Sequence, residues 1–270
     1  MWEHLVYWRM FPLEYAALRV ARARYGDAYT GVRTDPLVTV MIPTWNRGKL
    51  LAERTLPSIL GQTYTNLEVL VVGDHCTDDT AERVAAFQDP RLKFVNLSRR
   101  GTYPNEPHAR ARVAGTVPAN HALAVARGAW IVYSDDDDVY TPDHVEALLR
   151  FAQEHGVEFA YAACKRELTP GEWVVLQDTP ERCGFDVHRE ISAWGSGIAH
   201  STWCYRSYLR CFRYDLHSWR YNLAGDKSLV MRMGRAGVRA GYLDRVVTLM
   251  PLRPGDTIFS QLRFTPVEQW

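Results

Sequence analysis

The sequence predicts an α/β protein built on one mostly parallel sheet flanked by helices, and three observations carry that prediction. From residue 37 onward, short β-rich apolar runs alternate with segments of helical periodicity, the order that a parallel sheet with crossover helices requires. The runs at 37–42, 67–72 and 129–133 are almost wholly apolar, as strands covered on both faces are. Each of them then passes directly into polar residues, which places chemistry at the strand ends. At 270 residues, 47% hydrophobic and 23% charged, the chain can bury a full-sized core, which excludes a disordered, collagenous or disulfide-stapled chain.

The elements follow in order. Residues 1–25 stand apart: Trp2, Leu5, Val6, Trp8, Met10 and Phe11 crowd together before Pro12 opens a helical pattern that ends near Gly26. Pro12 and Glu14 near its start, with Arg19, Arg22 and Arg24 in its last turns, suit a helix and its dipole. Such a helix can pack on the domain or lie against lipid headgroups, and both alternatives stay open at this point. A strand at 37–42 leads to a helix at 49–62 disturbed by Pro57, a strand at 67–72, a helix at 78–88 and a strand at 91–96. Residues 98–116 form a long polar segment with Arg99, Arg100, Arg110 and Arg112 among glycines and prolines, and loops of that length are usually functional or mobile. A helix at 117–127, with Pro118 near its start and Gly128 just past its end, precedes the strand at 129–133. Thr141-Pro142-Asp143 starts the next helix, and Gly156 ends it before a strand at 157–162. Beyond residue 165 the order is less regular: strands at 172–176 and 198–205, a helix at 226–234, and closing strands at 238–243 and 246–250. No second composition break or internal repeat appears, so one domain over 36–250 is expected, after an extension at 1–35 and before a tail at 251–270.

Charge and cysteines narrow the partners. Lys+Arg at 32 against Asp+Glu at 31 leaves +1, so no net field favours nucleic acid, and recognition must come from a local site. Only four of the 32 cations are lysines. The five cysteines are widely spaced, with no CxxC pair and no zinc spacing, as free thiols in a reducing compartment would be. No apolar stretch approaches the roughly 18 residues of a spanning helix, and the start lacks a signal-peptide layout. The expected compartment is cytoplasmic, with peripheral membrane contact through residues 1–25 as the open alternative.

Asp135, Asp136, Asp137 and Asp138 follow the apolar strand at 129–133 directly. Ligands of open α/β sheets bind beyond the carboxyl ends of strands. Four adjacent carboxylates repel one another unless a cation or donors compensate, and a hard divalent ion, Mn²⁺ or Mg²⁺, suits oxygen ligands of this kind. The bland alternative is a solvated acidic turn, with Asp138 as a helix cap. Asp74 stands at the end of the second strand, and Pro43-Thr44-Trp45-Asn46 at the end of the first. Either could be an ordinary strand-to-helix turn. Three polar strand ends at one sheet edge outline a cleft with a flat aromatic, an acceptor for base or ribose, and a metal site.

These residues also resemble a known family. The runs at 38–47 (Val-Thr-Val-Met-Ile-Pro-Thr-Trp-Asn-Arg), 67–80 and 130–143, with Asn120 through Gly128, are similar to the family 2 glycosyltransferases of GT-A fold, a Rossmann-like single catalytic domain. The resemblance covers roughly residues 36–250. It implies that Pro43, Thr44 and Trp45 line a nucleotide pocket, with Trp45 stacked on the base and Asp74 accepting the imide N–H of uracil or thymine, hence a UDP- or dTDP-sugar. It makes Asp137 a direct metal ligand, with Asp135 and Asp136 toward ribose, sugar or metal-bound water and Asp135 as a second candidate ligand. Asn120 falls with the nucleotide-sugar contacts. Asp226, ahead of an apolar helix, becomes the catalytic base for transfer of a single sugar, with inversion, to a glycan, lipid-linked or other acceptor hydroxyl in envelope or extracellular glycan synthesis. Gly73 and Gly225 stand where the family often has an acid, and Ala119 where it often has Arg, which leaves Arg110 or Arg112 to meet the diphosphate. Trp194-Gly195-Ser196-Gly197 and His200 lie where the family builds acceptor contacts. The QxxRW signature of processive synthases is absent. The rivals are a catalytically silent sugar-nucleotide or glycan-binding module and a DxD phosphatase; the latter lacks its second acidic motif, since Val230 stands where that acid belongs.

Overall fold

The computed structural model describes residues 12–25, 35–176 and 199–253. Four strands form one parallel block of its sheet: β1 (Val38–Thr44), β2 (Leu67–Gly73), β3 (Leu92–Asn96) and β4 (Trp130–Tyr133), in the order β3-β2-β1-β4. All residues of β1, β2 and β4 are buried, which is why their sequences lack alternation. The chain runs outward from β1 through β2 to β3, then returns to place β4 on the other side of β1. The carboxyl ends of β1 and β4 therefore flank a topological switch point, where open α/β sheets hold their ligands.

Beyond β4 the pairing changes sense. β8 (Cys204–Arg206) runs antiparallel to both β4 and β6 (Phe159–Thr169), β9 (Ala240–Met250) runs parallel to β6, and β5 (Val139–Tyr140) closes the far edge against β9. β7 (Glu172–Leu176) forms a hairpin with β6. The two expected closing strands are one strand, β9, whose register against β6 shifts near Ala163. The expected strand at 198–205 is confined to β8; a 3₁₀ turn, His200–Thr202, takes the residues before it.

Two apolar clusters fill the two faces, and the strand period sorts residues between them: Met41 and Ile131 on one side, Val40, Ile42 and Val132 on the other. The first face takes helix α1, residues 12–25, through Leu18 and Ala21. Arg22 fastens α1 by donating at 2.7 and 2.5 Å to the Glu158 carboxylate, which also accepts Tyr208 Oη–H and the Arg239 amide. The domain-facing alternative for this helix thus holds for its inner face. The second face takes α2, residues 48–60, whose middle turn Leu51–Thr55 widens to π geometry just before Pro57. Proline has no N–H to donate and its ring crowds the preceding turn, so a widened turn keeps the helix continuous where a disturbance was expected.

The remaining helices are α3 (Thr80–Ala85), α4 (Pro107–Val113), α5 (Thr116–Val125), α6 (His144–Glu154) and α7 (Gly225–Arg235). α4 lies inside the segment expected to be a loop. Its start is well specified: Pro107 takes the first turn and the Glu106 carboxylate accepts the amides of His108 and Ala109. The thiols at 76, 204 and 211 are free, and Cys164 Sγ lies 3.7 Å from Met250 Sδ. No described helix is long and apolar enough to cross a membrane.

Candidate active site

The loops leaving β1 and β2 are tied together by side chains. Asn46 and His75 both take left-handed backbone conformations, with φ of 50° and 60°, as polar residues in tight turns do. The Asn46 amide donates to Thr77 Oγ1 and accepts the Thr77 N–H at 2.8 Å. Asn96, on β3, accepts the Cys76 N–H at 2.7 Å and donates back to the Cys76 carbonyl at 2.9 Å, fixing the turn that carries Asp74. Gly73 is glycine for a spatial reason: a Cβ there would stand 2.7 Å from Asn96 Oδ1 and 3.0 Å from Cys76 Sγ. An acid at 73 does not fit beside this clamp.

Trp45 and Asp74 face the long loop. Asp74 is buried, and its two oxygens accept the Gly101 N–H at 2.8 Å and the Tyr103 hydroxyl at 2.7 Å. Burial, with Asp74 beside it, pushes the Tyr103 phenol above its ordinary range. Arg100 lies over the Trp45 ring, its guanidinium carbon 3.3 Å from the ring centroid, and approaches Asp74 at 4.0 Å. Pro43 sits within β1 in register with Val72.

Across the switch point, the Thr44 hydroxyl donates to Asp136 at 2.7 Å, joining the ends of β1 and β4. Arg47 donates to Asp136 at 2.9 Å and to Asp137 at 3.0 Å, and Arg253 also pairs with Asp137. The Asp135 amide donates to Ser201 Oγ, and Tyr133 Oη–H reaches Asp135 at 3.2 Å. Burial pushes Asp135 well above the ordinary carboxylate range; Asp137, Asp136 and Asp226 add to that shift while Arg253 opposes it. Asp136 and Asp138 are raised as well, chiefly by burial. Asp138 is not a helix cap, since Asp143 precedes α6; its backbone carbonyl accepts from Thr55, and its buried Oδ2 has no partner.

Among the described residues, no three His, Cys, Asp or Glu side chains converge closely enough to hold a metal ion by themselves. The donor set still fits a hard divalent cation. Crowded oxygen ligands and the orphaned Asp138 oxygen are an anionic site short of positive charge, and Mg²⁺-type ions commonly take one or two carboxylates and complete their shell with substrate phosphates.

Asp226 enters from the first turn of α7, where its carboxylate accepts the Lys227 N–H at 2.7 Å. Burial raises its carboxyl, and it lies close enough to Asp135 to act on that group electrostatically. Gly225 is again a close approach: a Cβ would stand 2.8 Å from Thr116 Cγ2. Beside Asp135, His200 stacks on Tyr133 at 3.3 Å between ring centroids, with its Nε2 2.6 Å from the Tyr214 hydroxyl, and burial holds the imidazole neutral. Trp194-Gly195-Ser196-Gly197 lie outside the described residues.

Two of the residues expected at the donor have other partners. Both side-chain atoms of Asn120 bind the backbone of Tyr214, at 2.9 Å each, and Arg112 donates to the Asn222 carbonyl at 3.0 Å. These contacts hold the segment leading to α7, and they set Arg112 near Lys227, the neighbour of Asp226. Conversely, Arg47, Asn96 and Tyr103 join the site without a signal that named them, and Arg100 comes from the arginine-bearing segment at 98–116. Arg47 adjoins the Pro43–Asn46 motif and could have been found from that position; Asn96 and Tyr103 carry no local signal.

The sequence model described as "Glycosyl transferase family 2" matches residues 39–212. The succinoglycan biosynthesis protein ExoO of Rhizobium meliloti is 33% identical over 125 residues, which are 46% of this chain and 32% of that protein. The chain spans less than half the length of the relatives it matches. Among solved structures, Staphylococcus aureus TarS 1–349 in complex with UDP-GlcNAc superposes with a TM-score of 0.61 at 22% identity, over 83% of this chain and 60% of that one. The mannosyltransferase PcManGT of Pyrobaculum calidifontis, in complex with GDP-Man and Mn²⁺, superposes with a TM-score of 0.61 at 19% identity, over 92% of this chain and 71% of that one. Both likenesses bear on the fold, which is GT-A.

Proposed function

The chain belongs to glycosyl transferase family 2, and from that premise we propose that it transfers one sugar from a UDP- or dTDP-sugar to an acceptor hydroxyl with inversion, in envelope or extracellular glycan synthesis. One observation carries this reading: the Thr44–Asp136 bond closes the switch point between β1 and β4, and Asp226 faces the same carboxylates from α7. Trp45 stacks on the base, Pro43 and Thr44 line its pocket, and Asp74 accepts the imide N–H. Asp135 and Asp136 face ribose or sugar. Asp137, with Asp135, would hold Mn²⁺ or Mg²⁺; such an ion would neutralise the departing diphosphate as a Lewis acid. The acceptor oxygen attacks the anomeric carbon from the side opposite the diphosphate. A new C–O bond forms, the bond from carbon to phosphate oxygen breaks, and the acceptor's proton passes to Asp226. A buried carboxylate with a raised pKa is a stronger base than an exposed one and so suits that role. Asn120 and Arg112, which also hold the segment leading to α7, remain with the nucleotide-sugar contacts, Arg112 toward the diphosphate.

Turnover of UDP-, dTDP- and GDP-sugars with Mn²⁺ tests the reading. UDP- or dTDP-sugar consumption is expected, lost in excess EDTA and in Asp137→Asn. Preference for GDP-sugars, or activity indifferent to EDTA, would sink the donor or the metal assignment respectively. A silent binding module would bind donor and turn over none.

The acceptor reading extends to the membrane. What supports peripheral contact is the outer face of α1: Leu13 is 74% and Val20 65% exposed, with Ala16 between them, Ala23 one turn beyond, and Arg19 and Arg24 at the margins. An apolar centre edged by arginines suits an anionic lipid surface, and a lipid-linked acceptor with it. Co-sedimentation with vesicles containing anionic lipid is expected and should drop in a Leu13→Asp/Val20→Asp variant; equal sedimentation of the two removes this part of the proposal.

A further inference from the structure

We propose that the chain carries its own occupant of the nucleobase site: Arg100 and the loop behind it hold the groups that a base needs, so that donor binding is an exchange and not a simple entry. The inference rests on the reading that Trp45 and Asp74 receive the base. Both are already engaged, and by one short stretch of chain. The Arg100 guanidinium covers the Trp45 ring at 3.3 Å. One residue later the Gly101 N–H takes one oxygen of Asp74, and the Tyr103 hydroxyl takes the other. A planar cation thus stands in for a stacked ring, and two donors stand in for an imide N–H. Arginine suits the first role because its flat, weakly hydrated guanidinium stacks on an indole face as a heterocycle does.

The loop is fitted to this position. A Cβ on Gly101 would stand 2.7 Å from Val117 and 2.8 Å from the Tyr103 ring, so glycine allows the close approach that aims its N–H at Asp74. Arg100 keeps a longer contact with Asp74 at 4.0 Å and lies 5.9 Å from the Tyr103 ring. Its guanidinium, itself partly exposed, is therefore shared between a half-exposed aromatic face and a buried carboxylate. A partly exposed cation–π contact is weak enough for a base to displace. Entry of the base lifts Arg100 from Trp45 and releases Tyr103 from Asp74, moving the loop that lies between β3 and α4.

The test uses nucleosides, which lack the diphosphate and so report on the base site alone. Uridine and thymidine affinities are measured on the full chain by saturation-transfer NMR. Arg100→Ala is expected to tighten both about three- to tenfold, the magnitude of a partly desolvated cation–π contact removed from the competing state. The same substitution in a Trp45→Ala background is expected to give no gain. Affinity unchanged or weakened by Arg100→Ala overturns the exchange; weakening would mean that Arg100 itself stacks on the bound base. Failure of the underlying reading looks different: the nucleosides then bind wild type and Trp45→Ala alike, or bind neither.

Discussion

The two ends of the same parallel strands hold buried carboxylates under opposite treatment. At the amino end, Glu68 on β2 accepts the Arg127 amide and guanidinium, the Thr39 hydroxyl and the Lys93 ammonium. Burial alone would raise it, but these donors prevail and hold it at about 2. Thr39 Oγ1 in turn accepts the Gly128 N–H at 2.9 Å, so the start of β4 is locked to the start of β1. At the carboxyl end, Asp135, Asp136 and Asp138 are raised, because burial and mutual repulsion exceed what Thr44, Arg47, Ser201 and Arg253 return, and Asp226, entering from α7, is raised by burial against the pull of Lys227. One end satisfies its charge from within the chain; the other leaves a deficit for a ligand. The difference separates a group that holds the fold from the groups proposed to act, although burial alone makes them look alike.

Three measurements break or sharpen this contrast. The largest effect belongs to Asp226→Asn, which should cut turnover by about 10²–10⁴-fold, the range of a lost general base, with UDP affinity unchanged. Thermal stability should hold or rise in that variant, since burial disfavours the carboxylate charge that is removed. Near-wild-type turnover would show that the proton goes elsewhere. Glu68→Gln should do the reverse: stability falls by about 2 kcal/mol as charge-assisted bonds weaken, with donor affinity and turnover intact. A turnover defect larger than the stability loss would mean that the two ends are coupled. The smallest effect concerns pH. A carboxylate with a depressed pKa contributes stability that is fully present above its unfolded value, near 4.5, and lost as pH falls toward 2. The stability gap between wild type and Glu68→Gln should therefore narrow across that window in acid unfolding, and a constant gap would contradict the pairing.

Much of this was legible in the sequence because it is local. The runs that became β1, β2 and β4 are apolar at nearly every position, and a strand with both faces covered must be. Asp74, the aspartates at 135–138 and Asp226 are identifiable from their places just after strands or at a helix start. What stayed hidden depends on contacts distant along the chain. The Arg47 and Arg253 pairs with Asp137 form only once the ends of β1, β4 and β9 meet. Asn120 resembles a donor contact in sequence, and only the packing of α5 shows it bound to Tyr214. α4 was hidden by its own composition, since arginines and a leading proline read as loop although Glu106-Pro107 is a sound helix start. The short β5 has no run to detect, being two residues held by β9.

The glycine at 73 bears on how this protein can be altered. Its missing side chain is matched by Asn96, which occupies that space to clamp the turn carrying Asp74. Positions 73 and 96 are therefore one choice and not two. A redesign that restored an acid at 73 alone would push against Asn96 and disturb Asp74, whereas removing Asn96 first would loosen the turn before the acid arrived. Position 225 is bound in the same way to Thr116. Either family-like acid is open to this chain only through a paired substitution, which makes the route to it epistatic and each single step along it costly.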